Sequence, residues 1–240
     1  MGFGAFELQS GVRVTMKRLL SLLIISACSW AQATKDVAQN NVNNDVNRDY
    51  RTKEGRATVA KRLANPVRDK TQKPEAIVSA MQIRPGMTVA DIGTGIGFML
   101  PHLSRAVGPS GKVIAEDIQT DFLDAAKAKI AGDKLTNVTP LLGTPNDPKL
   151  PPGAVDIALV LDVYHHIENP PNVMSGLARG LKKDGRLVIV EFHKDSSPQP
   201  GHIQKTMTDV TREIEVIGFR LTSKVDRITD TQYMLTFVKK

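Results

Sequence analysis

A chain of 240 residues with 41% apolar residues is long enough to bury one large domain with extensions. Its formal net charge of +7 comes from scattered Lys and Arg, and aromatics make up only 5%, so the aromatic-interleaved basic surface of a nucleic-acid binder is not expected. The single cysteine, Cys28, excludes an intrachain disulfide framework and a thiolate zinc cluster.

Residues 1–15 read as an extension upstream of a better start at Met16. Residues 16–33 carry the three parts of an export signal: Lys17 and Arg18, the apolar run Leu19 to Ala27, and Ala31-Gln32-Ala33 as an A-x-A cleavage site. The apolar run is too short for a bilayer core, which takes ~20 residues. An exported, periplasmic protein is therefore expected. A second reading of the same residues stays open: Ile25-Ser26-Ala27-Cys28 resembles a bacterial lipobox, and lipidation of Cys28 would attach the protein to a membrane.

Residues 34–70 read as a spacer followed by a helical cap. Thr34 to Tyr50 is rich in Asn, Asp and Gln; Arg51 to Leu63 has helix formers with Val59, Ala60 and Leu63; Asn65-Pro66 ends that helix. Pro74 opens a second helix over Glu75 to Met81. From residue 71 to 240 one domain is expected. Strands at Thr88–Ile92, Lys112–Ala115, Val138–Leu142, Val155–Leu161 and Arg186–Phe192 alternate with helices at Gly97–Val107, Asp121–Ile130 and Asn172–Leu181. A helix at Thr206–Ile217 and two strands, Arg220–Val225 and Gln232–Val238, close the chain. This alternation predicts an α/β, Rossmann-like fold with a mostly parallel seven-stranded sheet and an antiparallel last strand.

The most informative stretch is Val89-Ala90-Asp91-Ile92-Gly93-Thr94-Gly95-Ile96-Gly97. A strand runs into three alternating glycines and then a helix, so a ligand can lie against bare backbone facing unpaired N–H groups. Phe98 stands where the dinucleotide fingerprint G-x-G-x-x-G needs its third glycine, which argues against NAD or FAD. Asp117, about 20 residues beyond, is suited to accept hydrogen bonds from ribose hydroxyls, and Glu116 is its neighbour. D-I-G-T-G-I-G resembles motif I of class I S-adenosylmethionine-dependent methyltransferases. The resemblance implies that cofactor and assigns contact with it to Asp91, Gly93, Thr94, Gly95, Gly97, Asp117, Ile118 and Asp162. It departs from the family after strand three: Thr144 stands where an acid would reach the adenine, and Asn146 or Asp147 would have to substitute.

Leu161-Asp162-Val163-Tyr164-His165-His166 lies at a strand end, where open α/β sheets bind ligands. Tyr164, His165 and His166 are the catalytic candidates, equipped to take a proton from a small-molecule methyl acceptor or to contact it; a structural or cofactor-packing role for the two histidines stays open. No metal centre is expected, because adjacent histidines rarely reach one ion and no H-x-x-x-H spacing occurs. With the upstream stretch Asn65 to Pro74, this tripeptide resembles a group of exported bacterial methyltransferase-like proteins over Asn65 to Lys240. There Arg68 and Asp69 either cap the pocket or form an exposed loop pair. The rival to an enzyme is a non-catalytic ligand-binding protein of the same fold.

Overall fold

The computed structural model describes Met1, residues 45–199 and residues 201–240. The expected export signal and Cys28 lie outside the described residues. After a 3-10 turn at Arg48–Tyr50 come helices α1 (Lys53–Leu63), α2 (Val67–Gln72) and α3 (Pro74–Ala80). There follow β1 (Thr88–Ile92), α4 (Leu100–Val107), β2 (Lys112–Asp117), α5 (Thr120–Gly132), β3 (Val138–Leu142) and β4 (Val155–Leu161). The chain ends with α6 (Pro170–Gly180), β5 (Leu181–Phe192), α7 (Met207–Ile217), β6 (Phe219–Val225) and β7 (Gln232–Lys239).

The strands form one seven-stranded sheet in the order β3-β2-β1-β4-β5-β7-β6. The first five run parallel, while β7 pairs antiparallel with both β5 and β6. β4 and the 187–190 part of β5 read as nearly unbroken apolar runs because helices cover both sheet faces there. Ala158 and Val160 of β4 face Val173, Met174 and Leu177 of α6 and Val210 and Ile214 of α7 in one core. Ile157 and Leu159 of the same strand join Ile77 of α3 and Leu100, Leu103 and Val107 of α4 in the other. Among the described residues no helix is long and apolar enough to cross a membrane.

Three local differences from expectation have physical causes. α4 starts at Leu100 rather than Gly97, because Gly97 takes a left-handed φ of 84° in the turn that precedes it. β5 starts at Leu181, five residues early, by a register shift against β4 between Val155 and Ile157. α2 has no apolar periodicity; it is started by Pro66, while the Asn65 side chain accepts from Val67 N–H at 3.0 Å.

The start of α7 offers a check on local energetics. Thr206 and Asp209 close a capping box, each side chain accepting the other's backbone N–H. Thr206→Ala is expected to lower stability by about 1 kcal/mol in urea denaturation, with the slope unchanged.

Candidate active site

The strand order changes direction between β1 and β4, which are neighbours although β2 and β3 intervene in the chain. Beyond their carboxyl ends opens a cavity of about 910 Å³, within the range of small-molecule sites. Each of the four central parallel strands ends in acid: Asp91 on β1, Glu116 and Asp117 on β2, Asp162 after β4, and Glu191 on β5.

On one side of the cavity the glycine turn is fastened to β2. Gly95 N–H donates to Asp117 Oδ2 at 2.9 Å, and Gln119 N–H donates to Asp117 Oδ1 at 2.9 Å. Gly93 N–H donates to Glu116 Oε2 at 3.3 Å, and the Thr94 hydroxyl donates to Asp91 Oδ2 at 2.7 Å. Gly93, Thr94, Gly95, Asp117 and Ile118 line the cavity. Asp91 stands behind the wall, 3% exposed. Burial pushes Asp91 and Asp117 up to about 6 and Glu116 up to about 8, against the hydrogen bonds that favour their anions. Both adjacent acids hold the glycine turn directly, Asp117 at Gly95 and Glu116 at Gly93. Glu116 is wedged beneath Gly143, where an added Cβ would fall 1.8 Å from Glu116 Oε1.

Two glycines of the turn have different uses. At Gly93 (φ 67°) an added Cβ would come within 2.6 Å of Val163 Cγ2, so the missing side chain seats the loop after β4. Gly97, expected at the cofactor, is not on the cavity wall; its missing Cβ makes room for Leu100 at 2.8 Å and the Ala126 backbone at 3.5 Å. That is helix packing rather than ligand contact. Asp147 also turns away from the expected adenine role. Its carboxylate accepts from Arg179 at 2.7 Å and from Lys149 N–H at 2.9 Å, while Thr144 and Pro145 form the cavity wall there.

The opposite side is built by the ends of β4 and β5. Asp162 adopts a left-handed φ of 55° and accepts a hydrogen bond from Gln232 Nε2; Gln232 Oε1 in turn accepts from Gln72 Nε2 at 2.8 Å. Burial and the neighbouring Glu191 charge raise Asp162 above the usual carboxylate range, opposed by Arg68. Arg68 lines the cavity with its guanidinium 4.2 Å above the Phe98 ring, whereas Asp69 is exposed and off the cavity wall. The N-terminal segment thus supplies a wall through Arg68, with Leu63 lying over Gly95 and Tyr50 stacked at 4.5 Å on His166.

His165 and His166 both line the cavity, and a third imidazole, His202 from the stretch before α7, joins them. His165 Nδ1 lies 2.6 Å from Glu191 Oε2, and its Nε2 lies 3.1 Å from His202 Nε2. Burial pulls the His165 imidazole down, but the Glu191 charge and hydrogen bond outweigh it and leave it raised. Burial, then the His165 and His202 charges, push His166 far down, so it is neutral at physiological pH. Tyr164, expected beside them, points elsewhere. It is 2% exposed, donates to Glu213 Oε2 at 2.6 Å and is off the main cavity wall, a buried anchor for α7. Sequence reasoning missed Glu191 and His202. The acid that follows an apolar strand, repeated on four strands, was the available signal for Glu191; a lone histidine after Pro-Gly gave none for His202.

A family profile describing a methyltransferase domain matches residues 83–237. Nocamycin O-methyltransferase of Saccharothrix syringae is 34% identical over 104 residues, covering 43% of this chain and 37% of that protein. Demethylmenaquinone methyltransferase of Lactococcus lactis is 32% identical over 116 residues, covering 47% and 45% respectively. The chain thus spans less than half the length of these curated relatives. Among solved structures, an S-adenosylmethionine-dependent methyltransferase from Aquifex aeolicus superposes with a TM-score of 0.71 at 29% identity, covering 75% of this chain and 96% of that one.

Proposed function

The chain belongs to the methyltransferase domain family, and from that premise we propose that it transfers a methyl group from S-adenosylmethionine to a small-molecule acceptor. The observation that carries this reading is the fastening of the glycine turn to the β2 acid, Gly95 N–H to Asp117 at 2.9 Å, at the wall of one large cavity.

The residues present fit the donor. Both Asp117 oxygens accept backbone N–H groups, and the carboxylate keeps lone-pair capacity for a ribose hydroxyl. Ile118, 43% exposed, offers apolar surface to a base, and Gly93 and Gly95 leave backbone bare. Asp117 and Asp162 line the strand-tip end of the cavity with Asp91 behind it, an acidic end suited to a sulfonium and an ammonium group, while Arg51, Arg56, Arg62 and Arg68 line the wall that the N-terminal segment supplies. When bound, the donor supplies an electrophilic methyl carbon whose leaving group is a neutral thioether. His165, His166 and His202 then furnish the acceptor side. Methyl transfer is an in-line displacement, so holding the acceptor in place supplies much of the rate. Glu191, held on His165 Nδ1, fixes that imidazole with its Nε2 turned to His202 at the same end of the cavity.

Calorimetry of the purified chain is expected to show S-adenosylhomocysteine binding, weakened more than tenfold (~1.4 kcal/mol) by Asp117→Ala. Labelled methyl groups should pass from S-adenosylmethionine to a small molecule of a cell-envelope extract. Absence of binding at ~1 mM ligand would remove the reading. Residues 16–33 carry the further proposal of export, with cleavage after Ala33 or lipidation of Cys28; mass spectrometry of the mature N-terminus distinguishes the two.

A further inference from the structure

One ring nitrogen from each of His165, His166 and His202 lies within 4.8 Å of the other two. Among the described residues these are the one group of three or more His, Cys, Asp or Glu side chains that converge in this way. We propose that the three imidazoles bind a divalent transition-metal ion, with zinc as the representative cation, at the acceptor end of the cavity.

The hydrogen bonds around the cluster set the tautomers a metal needs. Glu191 Oε2, 2.6 Å from His165 Nδ1, is an acceptor, so Nδ1 carries the proton and Nε2 keeps its lone pair. His166 is fixed in the same way. Its Nδ1 lies 2.9 Å from Asn47 Oδ1, and the amide is oriented because Asn47 Nδ2 donates to the His166 carbonyl at 2.9 Å and to Glu168 at 3.2 Å. Two of the three rings therefore have a carboxylate or carbonyl acceptor on Nδ1, the arrangement that orients histidine ligands in zinc sites. His165 Nε2 and His202 Nε2 are 3.1 Å apart, too close for two bare lone pairs, so either one nitrogen carries a proton or a cation lies between them. A tetrahedral ion with Zn–N bonds of about 2.0–2.1 Å holds its nitrogens ~3.3 Å apart, close to that spacing. A proton on His202 Nε2 satisfies that pair alone, whereas a metal ion also engages the nitrogen of the third ring that converges on it. Three histidine ligands with a remaining position facing a cavity is the pattern of an open site, able to take an oxygen or nitrogen atom of a bound small molecule.

The placement at the acceptor end rests on the methyltransferase reading, whereas metal binding itself does not. The test is zinc uptake by the full, untagged chain after removal of metals, measured by competition with a chromophoric chelator. About one Zn²⁺ per chain is expected, with a dissociation constant of roughly 1 µM or tighter. His202→Ala should weaken uptake by about tenfold or more, and Glu191→Gln by about 10–100-fold. Co²⁺ in place of Zn²⁺ should give the visible absorption of a four- or five-coordinate nitrogen site, absent in His202→Ala. Uptake below ~0.2 equivalents at ~100 µM Zn²⁺, or unchanged affinity in a folded His202→Ala variant, overturns the proposal. S-adenosylhomocysteine calorimetry on the same metal-free samples reads the donor site alone, so failure of one site is distinguishable from failure of the other.

Discussion

Gly93→Val is expected to weaken S-adenosylhomocysteine binding about 100-fold, or ~2.7 kcal/mol. Two effects add. Gly93 has φ 67°, and a β-branched residue there is a genuine conformational outlier, with a backbone cost of about 1–2 kcal/mol. Its Cβ would also meet Val163 Cγ2 at 2.6 Å, and Val163 sits between Asp162 and the Tyr164–His166 turn. The substitution therefore displaces the loop that carries the acceptor side as well as the backbone that borders the donor. Gly93→Ala separates these effects, because pairing it with Val163→Ala removes the collision and leaves the backbone strain. The double variant should recover part of the affinity that Gly93→Ala loses, while circular dichroism shows all three folded. Wild-type affinity in folded Gly93→Val would mean that no ligand depends on this turn.

The sheet was legible because its strands are short apolar runs bounded by turn residues. β3 and β4 begin and end where the sequence places them, since the turn residues from Asp133 to Asn137 and Pro151-Pro152-Gly153 leave little choice. The donor side was legible for a related reason: Gly93, Gly95 and Asp117 all lie within one strand–turn–helix–strand unit, so their meeting is a local consequence of a parallel sheet. What stayed hidden depends on distant segments. Gly97 has the same residue type and spacing as its neighbours, yet Leu100 and Ala126 decide its use. Tyr164 looks like part of a catalytic run until Glu213, 49 residues on, takes its hydroxyl. His202 reaches His165 across 37 residues by a stretch with no periodicity to follow.

The same distinction explains why the acceptor is harder to read than the donor. The contacts proposed for the donor come from backbone and strand-tip acids, groups whose positions the sheet dictates. Those proposed for the acceptor come from imidazoles whose placement rests on Glu191 of β5, Asn47 from before α1, and a stretch between β5 and α7. A single substitution in any of these segments changes the acceptor side without touching the sheet. Chemical variety among proteins of one fold arises in this way.

Donor-side affinity should rise with pH, by roughly 10–100-fold between pH 5 and pH 8. Asp117 in the free chain titrates at about 6, lifted chiefly by burial, and Asp91 behind it also at about 6. At pH 5 each is therefore mostly protonated. A protonated Asp117 has lost one of the acceptors that ribose hydroxyls require, and a neutral Asp91 no longer offsets positive charge on a ligand. If binding needs the Asp117 anion, affinity falls about tenfold for each pH unit below 6 and levels off above ~7. The sign follows from the raised free-state values: protons held below 6 must leave when the ligand enters, so binding at pH 5 releases protons. Calorimetry in buffers of different ionisation heats measures that release directly. Asp117→Asn, which cannot titrate, should bind weakly at every pH, with a slope against pH reduced by about one proton. Glu116, raised to about 8 and sealed beneath Gly143, should stay protonated through most of this range and contribute little to the slope. An affinity flat from pH 5 to 8 in the wild type would show that the ligand does not engage the strand-tip carboxylates as anions.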